Sequence, residues 1–424
     1  LSAFEGDMSL PGEFTSGALA AQATEVDTSG RDFGVARVLY EKVGEGRRAI
    51  GYLGTLVSHE DGDAIVHGVD AHWLSRNGAW AVDGQVMTSD VGDLQGYGAM
   101  ADIDYKPRQG TQHKLALDYF DENLDVSDLG FIRRNDAMSA VYQYNWSTGR
   151  GLTTLRNKRR SLMVSNSWNM EGQVVRSGIF LRNGWTFKNL NEIRTELDYF
   201  PVRWEDRNSF GNGAYKMHDR WVAEVAIGTD TSQKLSYSAL LGVRQEELSD
   251  WTIRSSLGVT YTPSDRFSFE LDLNYFQRDG WLLHDQDQLM ATYEAGDFQP
   301  RLGMDIFFTA KQQLRLSVQW AAIRAQEQDF YLIPEGGGTL DTVADPVAAG
   351  IVTSTNGDFA LSRLTTQLRY RWEIGPLSDF FLVYTRGSNL PNRIDDEYTD
   401  LFQDAISEPI VDTFIAKLRY RFGN

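Results

Sequence analysis

Apolar and polar side chains alternate along many stretches of this chain. In the last stretch the two sets fall on successive positions, with Ala416, Leu418, Tyr420 and Phe422 alternating with Lys417, Arg419 and Arg421. A β-strand points successive side chains to opposite faces, whereas a helix would scatter both sets around its circumference. The stretch is therefore predicted to be a strand with one apolar and one basic face.

The same alternation recurs in at least four other segments, 251–261, 267–275, 314–320 and 364–372. It often persists over the length of a tilted transmembrane strand, which needs about 9 to 11 residues. Strands of soluble proteins usually have about five or six residues. The pattern therefore favours an all-β fold, a transmembrane antiparallel β-barrel of the outer-membrane type, over a soluble β protein.

The connections between these stretches alternate between short and long. Barrels of the outer-membrane type pair short periplasmic turns with longer extracellular loops. The long, often acidic segments fall near 58–63, 89–96, 121–136, 202–213, 278–296, 327–358 and 388–410. Counting strands under this constraint, with an opening strand near 14–26, predicts about 20 strands in a range of roughly 18 to 22.

The prediction is one barrel domain over residues 1–424, with 1–13 as a periplasmic lead-in. Residues 280–298 leave two alternatives, an extracellular loop or a further hairpin. The long segments 327–358 and 388–410 are expected to be extracellular or to fold into the lumen. Within the first of them, the flexible and mostly uncharged residues 334–358 are the preferred constriction or lid.

One face of the predicted strands carries charges of both signs, which is expected of a water-filled pore. Glu196 and Asp198 belong to this face, and the candidate lumen-lining residues are Arg254, Glu270, Asp272, Arg315, Arg369, Arg371, Lys417, Arg419 and Arg421. The alternative is that these groups pair with one another and fill a closed barrel. Barrels of 16 to 18 strands already leave a channel, so water, an infolded loop or a partner is expected to occupy the lumen.

Aromatic residues at the ends of the alternating stretches predict the girdles that mark membrane interfaces. The candidates for this aromatic belt are Trp146, Trp251, Tyr370, Trp372, Tyr420 and Phe422. Residues 155–164 break the pattern, because Arg156, Lys158 and Arg160 share parity with Leu162. Either a bulge switches faces there, or these cations lie at the level of the lipid headgroups.

Composition argues against some classes of partner and of binding site. A formal net charge of -18 argues against a nucleic-acid partner. Cysteine is absent, which excludes disulfides and thiolate metal sites. The chain starts abruptly and shows no signal segment, so we expect a processed fragment, or one that lacks an upstream signal and domain.

Catalytic and metal-binding patterns are weak. The six histidines are scattered and form no pair at metal-ligand spacing, and there is no G-x-S-x-G motif. The acidic segments 285–288 and 395–400 offer oxygen ligands that suit calcium, but a solvated rim is the favoured interpretation. No catalytic residue, metal ion or cofactor is therefore predicted, and the protein is not expected to be an enzyme.

Five sequence segments resemble the outer-membrane barrels of domain-of-unknown-function family 5916. They are residues 47–58, 66–73, 128–136, 197–207 and 311–326. The resemblance implies a barrel and an envelope location but no settled activity. In that family the barrel usually follows a periplasm-entering signal and a domain similar to family 9 carbohydrate-binding modules. No stretch of residues 1–424 resembles that upstream domain, so saccharide recognition by the barrel itself stays an open alternative.

Two functions are predicted. The first is a pore or uptake channel for small polar solutes, including saccharide-derived ones. The second is a scaffold or secretion-type barrel that holds an envelope protein at its lumen or rim. In both cases the chain is expected to be integral to a Gram-negative outer membrane, in contact with lipid and lipopolysaccharide. Its terminal aromatic strand resembles the signal for the barrel-insertion machinery, although Gly423 and Asn424 depart from a strictly terminal aromatic residue.

Overall fold

The structure is a computed structural model that describes residues 32–59, 62–353, 357–392, 394 and 396–422. The predicted lead-in 1–13, the predicted opening strand near 14–26 and the terminal Gly423 and Asn424 lie outside the described residues.

The described chain is almost entirely β-structure, because its long alternating stretches each form a strand. The first ten strands are β1 (Asp32–Gly44), β2 (Gly46–His59), β3 (Gly62–Leu74), β4 (Trp80–Val91), β5 (Leu94–Arg108), β6 (Thr111–Phe120), β7 (Ala137–Thr148), β8 (Leu155–Trp168), β9 (Val174–Phe187) and β10 (Glu192–Phe200). The next eight are β11 (Arg203–Glu205), β12 (Tyr215–Met217), β13 (Arg220–Gly228), β14 (Leu235–Gln245), β15 (Trp251–Ser264), β16 (Phe267–Gln286), β17 (Leu289–Thr309) and β18 (Gln312–Leu332). The remaining elements are β19 (Gly338–Thr339), β20 (Asp341–Val343), β21 (Phe359–Gly375), β22 (Ser378–Asn392), the helix α1 (Tyr398–Ser407) and β23 (Val411–Arg419).

Twenty of these strands form one sheet, and β11, β12 and β19 form a second, small one. Each long strand of the large sheet pairs antiparallel with the next long strand along the chain, as in β1 with β2, β10 with β13, β18 with β21 and β22 with β23. The predicted class, an antiparallel outer-membrane-type barrel of about 20 strands, is confirmed.

The connections separate into two ends of the barrel. At one end, here called the short-turn end, the links are tight, such as residues 109–110 and 265–266. At the other, the long-loop end, lie the connections 121–136, 201–219, 333–358 and 393–410. The predicted long segments near 58–63 and 89–96 are instead mostly strand, because β2 to β5 continue into them, and residues 60 and 61 lie outside the described residues.

The two faces of the large sheet differ in chemistry. One, here called the outer face, carries exposed apolar side chains such as Leu241 (62%) and Leu257 (59%). The other, here called the inner face, carries the charged partners described below. This division follows from the period-two alternation of the sequence, and an apolar exterior around a polar interior is the arrangement of a transmembrane barrel.

Strands β16, β17 and β18 are the longest, with 20, 21 and 21 residues. At about 3.3 Å per residue they extend well beyond an apolar band about 25 Å tall, even when tilted. Residues 280–298 belong to this extension, so they are neither a loop nor a separate hairpin. A bulge between Arg278 and Trp281 contains Gly280, whose φ of 71° favours glycine.

Buried apolar clusters lie towards the long-loop end. One joins Tyr215 and Met217 of β12 to Met290 and Ile333, and a second surrounds Tyr293 on the inner face. A third forms where Leu401 and Ala405 of α1 pack on the outer face against a patch that includes Trp320, Ala322 and Leu364. Part of the predicted extracellular or infolded segment 388–410 thus lies on the outer face. Among the described residues, no helix has the length and apolar character needed to cross a membrane.

Candidate functional site in the charged inner wall

Four charged side chains form a row across neighbouring strands of the inner face. Arg182 of β9 is opposite Glu196 of β10, and Glu196 is opposite Glu224 of β13. Arg182 donates hydrogen bonds of 2.9 and 3.0 Å to the two carboxylate oxygens of Glu196. At the other end of the row, Nη1 of Arg254 on β15 lies 3.2 Å from Oε1 of Glu224. Both carboxylates are therefore neutralised by a flanking guanidinium.

Glycine creates the space for this row. Gly242 of β14 lies between Glu224 and Arg254 in the register. A Cβ atom at Gly242 would lie only 2.7 Å from Cγ of Glu224. Gly258 similarly leaves room for Asp272, since a Cβ there would lie 2.7 Å from an Asp272 carboxylate oxygen. The absent side chains let charged groups meet across an intervening strand.

Ion pairs recur on the inner face near the short-turn end. Asp305 of β17 accepts hydrogen bonds of 2.8 Å from Arg315 and 2.7 Å from Gln313, both on β18. Arg371 of β21 donates a 2.9 Å hydrogen bond to Asp379 of β22. Arg37 of β1 also reaches Asp70 of β3 across the glycine-bearing strand β2.

The other predicted lumen-lining residues lie on the same wall without an ion pair among the described residues. Arg369 is opposite Arg315 in the register, and Asp272 is opposite Gly258. Glu270 lies beside Gly303. Lys417 and Arg419 lie on β23 opposite Phe381 and Asp379. Arg421 follows β23, and its backbone N–H donates a 3.1 Å hydrogen bond to the Ser378 hydroxyl.

The predicted aromatic belt residues lie near strand ends. Five are at the short-turn end, Trp146, Tyr370, Trp372, Tyr420 and Phe422, whereas Trp251 opens β15 at the long-loop end. Nζ of Lys158 lies 6.0 Å from the centroid of the Trp146 ring. Arg160 is opposite Trp146, on the face that carries Leu162. This placement agrees with the headgroup-level alternative for Lys158 and Arg160, whereas a register shift between Leu155 and Asn157 agrees with a bulge beside Arg156.

Sequence reasoning missed a second charged group on the inner face, nearer the long-loop end. Arg220 lies 2.7 Å from Glu247, and Arg278 lies 3.1 Å from Asp297, where both residues of the second pair are almost completely buried. Arg278 could have been found from the sequence, because it continues the parity of Glu270 and Asp272. The other members lie at the start of β13, in the connection after β14 and in the extended part of β17, where the sequence alternation does not mark the inner face.

Two ionisable groups near this second group have shifted pKa values, and both lie outside the strands of the large sheet. Burial and the adjacent charge of Glu247 raise the pKa of Glu246 to about 7. The hydroxyl of Thr252 donates a 2.5 Å hydrogen bond to the Glu246 carboxylate. Burial and neighbouring Arg220 lower the pKa of Arg203 to about 10.

An ion pair joins two of the long connections. Arg134, in the connection 121–136, donates hydrogen bonds of 2.8 and 2.5 Å to the two oxygens of Asp206, in the connection 201–219. Burial opposes ionisation of Asp206, but the hydrogen bonds and charge of Arg134, together with a hydrogen bond from Asn169, keep the Asp206 pKa below its usual value. Within the described part of the chain, no group of three or more His, Asp or Glu side chains is arranged to hold a metal ion.

Comparison with known proteins places the chain in a family. No curated protein sequence matches it. The crystal structure of the siderophore receptor PirA from Acinetobacter baumannii aligns with a TM-score of 0.44 at 7% identity, covering 91% of this chain and 73% of that one. The family model "Domain of unknown function (DUF5916)" matches residues 49–422. The chain therefore belongs to the DUF5916 family, as the resemblance in its sequence predicts.

Proposed function

We propose that this protein is a channel through a Gram-negative outer membrane that admits small polar solutes. The observation that carries the proposal is the inner wall, where partly exposed ion pairs replace a packed apolar core. The side chains of Arg182 and Glu196 are 26% and 31% exposed. A barrel of this strand number leaves space beyond its own side chains, and the paired charges provide a surface that water and polar solutes can wet.

The outer face supports an integral position in the membrane. Its exposed apolar residues, such as Leu241 and Leu257, suit contact with acyl chains, and the Trp146–Lys158 contact suits an interface with lipid headgroups or lipopolysaccharide. We include delivery by the barrel-insertion machinery in the proposal. The proposed role is transport rather than catalysis.

Liposome swelling with a size series of uncharged sugars tests the proposal. We expect swelling rates that fall as the sugar grows, in liposomes loaded with the folded full chain. Liposomes with an equal mass of heat-denatured chain are the control. Absence of swelling with the smallest sugar, from a barrel verified to be folded, would contradict the channel. Repeated recovery of a stoichiometric protein partner from native membranes would then support the alternative of a partner-holding barrel.

A further inference from the structure

Two guanidinium groups lie beside the ion pairs of the second charged group on the inner face. Arg220 and Arg278 are 8% and 4% exposed, and each has one carboxylate partner, Glu247 and Asp297 respectively. The side chains of Arg203 and Arg244 form no hydrogen bond or ion pair within the part of the chain that the structure describes. In addition, the buried Nε atom of Arg203 has no hydrogen-bond partner there.

The guanidinium groups lie in a row. Those of Arg203 and Arg220 lie over the same ring, with their Cζ atoms 5.7 and 5.6 Å from the centroid of Phe200. Arg244 is opposite Val222, two residues along β13 from Arg220 and on the same face. Diagonal neighbours of this kind are within reach of long side chains. Arg203, Arg220 and Arg244 thus form a cationic row, here called the arginine row, near the long-loop end of the lumen.

Nearby carboxylates balance the charge of the row only in part. Glu247 accepts a hydrogen bond from Arg220 and also attracts Arg203 and Arg244, whereas Asp297 accepts a hydrogen bond from Arg278. Glu205 is close to Arg203 but accepts hydrogen bonds of 3.0 and 3.1 Å from the backbone N–H groups of Arg207 and Asn208. Glu246 carries only part of a charge near neutral pH, as its raised pKa indicates. Unpaired cations in a desolvated site are unfavourable unless a counter-ion joins them.

We propose that the arginine row binds an oxyanion, such as the carboxylate, phosphate or sulfate group of a small solute, with Arg203 and Arg244 as its direct ligands. The planar guanidinium fork matches the geometry of two oxygens on one oxyanion, which a halide cannot offer. The row lies on the route from the long loops into the lumen, so it selects anionic solutes at entry. The selection of anionic solutes by the row depends on the proposed channel function, whereas the binding of an oxyanion does not.

Calorimetric titration of the full chain in detergent, with inorganic phosphate and with sulfate, tests the site. Sodium chloride at equal ionic strength is the reference. We expect binding of both oxyanions, with affinity about tenfold lower in Arg244→Gln and in Arg203→Gln. Arg244→Lys keeps the charge but not the fork and should give intermediate affinity. Arg315→Gln, on the same wall near the short-turn end, is the matched control and should change affinity by less than about twofold.

The melting temperature distinguishes a binding role of the arginine row from a purely structural one. Because Arg244→Gln removes a half-buried cation whose charge is only partly balanced, we expect it to raise the melting temperature in anion-free buffer and to reduce the increase that sulfate gives the native chain. Binding of neither oxyanion by the native chain, equal binding of chloride, or unchanged affinity in a variant that carries both Arg203→Gln and Arg244→Gln would each overturn the proposal. Oxyanion binding without liposome swelling would support the binding site and contradict the proposed channel.

Discussion

Arg254 of β15 pairs with Glu224 of β13 across the intervening strand β14, over the bare backbone of Gly242, with Nη1 3.2 Å from Oε1. The two side chains are equally exposed, at 16% each. This contact shows how the inner wall is built: glycine on one strand lets opposite charges on its two neighbours meet. The lumen surface therefore depends on small residues as much as on the charges themselves.

Gly242→Ala is expected to destabilise the barrel. The added Cβ would lie 2.7 Å from Cγ of Glu224, so the carboxylate must move away from Arg254. We expect a loss of about 1–3 kcal/mol in the free energy of unfolding, measured by urea titration of the folded barrel. Gly228→Ala is the control, since a Cβ there has no neighbour within 4 Å. Equal losses in the two variants would contradict the role of Gly242.

Arg369→Glu is expected to shift ion selectivity towards cations. Arg369 lies on the inner face opposite Arg315, so the substitution replaces a pair of like charges by a pair of opposite ones and makes the lumen more negative. The reversal potential in a salt gradient measures the shift. Lys311→Glu makes the same charge change in the exposed turn between β17 and β18 and should have little effect. Equal shifts in both variants would mean that Arg369 does not face the permeation path.

Asp206→Asn is expected to loosen the contact between the connections 121–136 and 201–219. The substitution removes a two-oxygen acceptor from Arg134, at a cost of about 1.5–3 kcal/mol for hydrogen bonds to a charged group. Limited proteolysis should then cut residues 121–136 faster. Asp230→Asn is the control, because that carboxylate binds only within its own turn, to Ser232 and Gln233.

Protonation of Asp206 should loosen the same contact as Asp206→Asn does, but only in strong acid. The Asp206 pKa is lowered in the folded protein, so the contribution of this ion pair to stability is complete above the ordinary aspartate pKa of about 3.9 and is lost as pH falls through the lower, folded value. Pepsin cleavage of residues 121–136 should therefore rise only in strong acid in the native chain. An increase already between pH 5 and 6, about one to two units above the ordinary aspartate pKa, would contradict this assignment.

Sulfate binding by the arginine row should weaken as pH rises through 7. Glu246 faces Glu247, Arg244, Arg278 and Thr252, and burial with the Glu247 charge keeps it partly protonated near pH 7. Its ionisation adds negative charge beside Arg244 and opposes an anion. Sulfate is a suitable probe, since its own charge is constant in this range. In Glu246→Gln the affinity should be independent of pH, and a retained pH dependence would assign the titration to another group.

The faces of the strands could be predicted from the sequence because side-chain direction follows parity. Arg254, Glu270 and Arg315 are placed on one wall by alternation alone. The partner of Arg254 could not be predicted, because contact with Glu224 depends on the register of three strands. The structure of residues 280–298, at the tip of β16 and β17, could not be predicted either, because a strand that extends beyond the membrane has no continuous apolar face to identify it. The position of α1 on the outer face depends on contacts such as the Ser362 hydroxyl donating 2.7 Å to the Leu401 carbonyl, which no local pattern encodes.

Single-channel recording of the purified full chain in a planar bilayer tests the central claim most directly. The charged inner wall predicts discrete current steps in the intact protein. It also predicts that Arg369→Glu changes their ion selectivity whereas Lys311→Glu does not. A folded, inserted barrel that passes no current would contradict the account and would mean that the inner wall encloses a filled interior rather than an aqueous path.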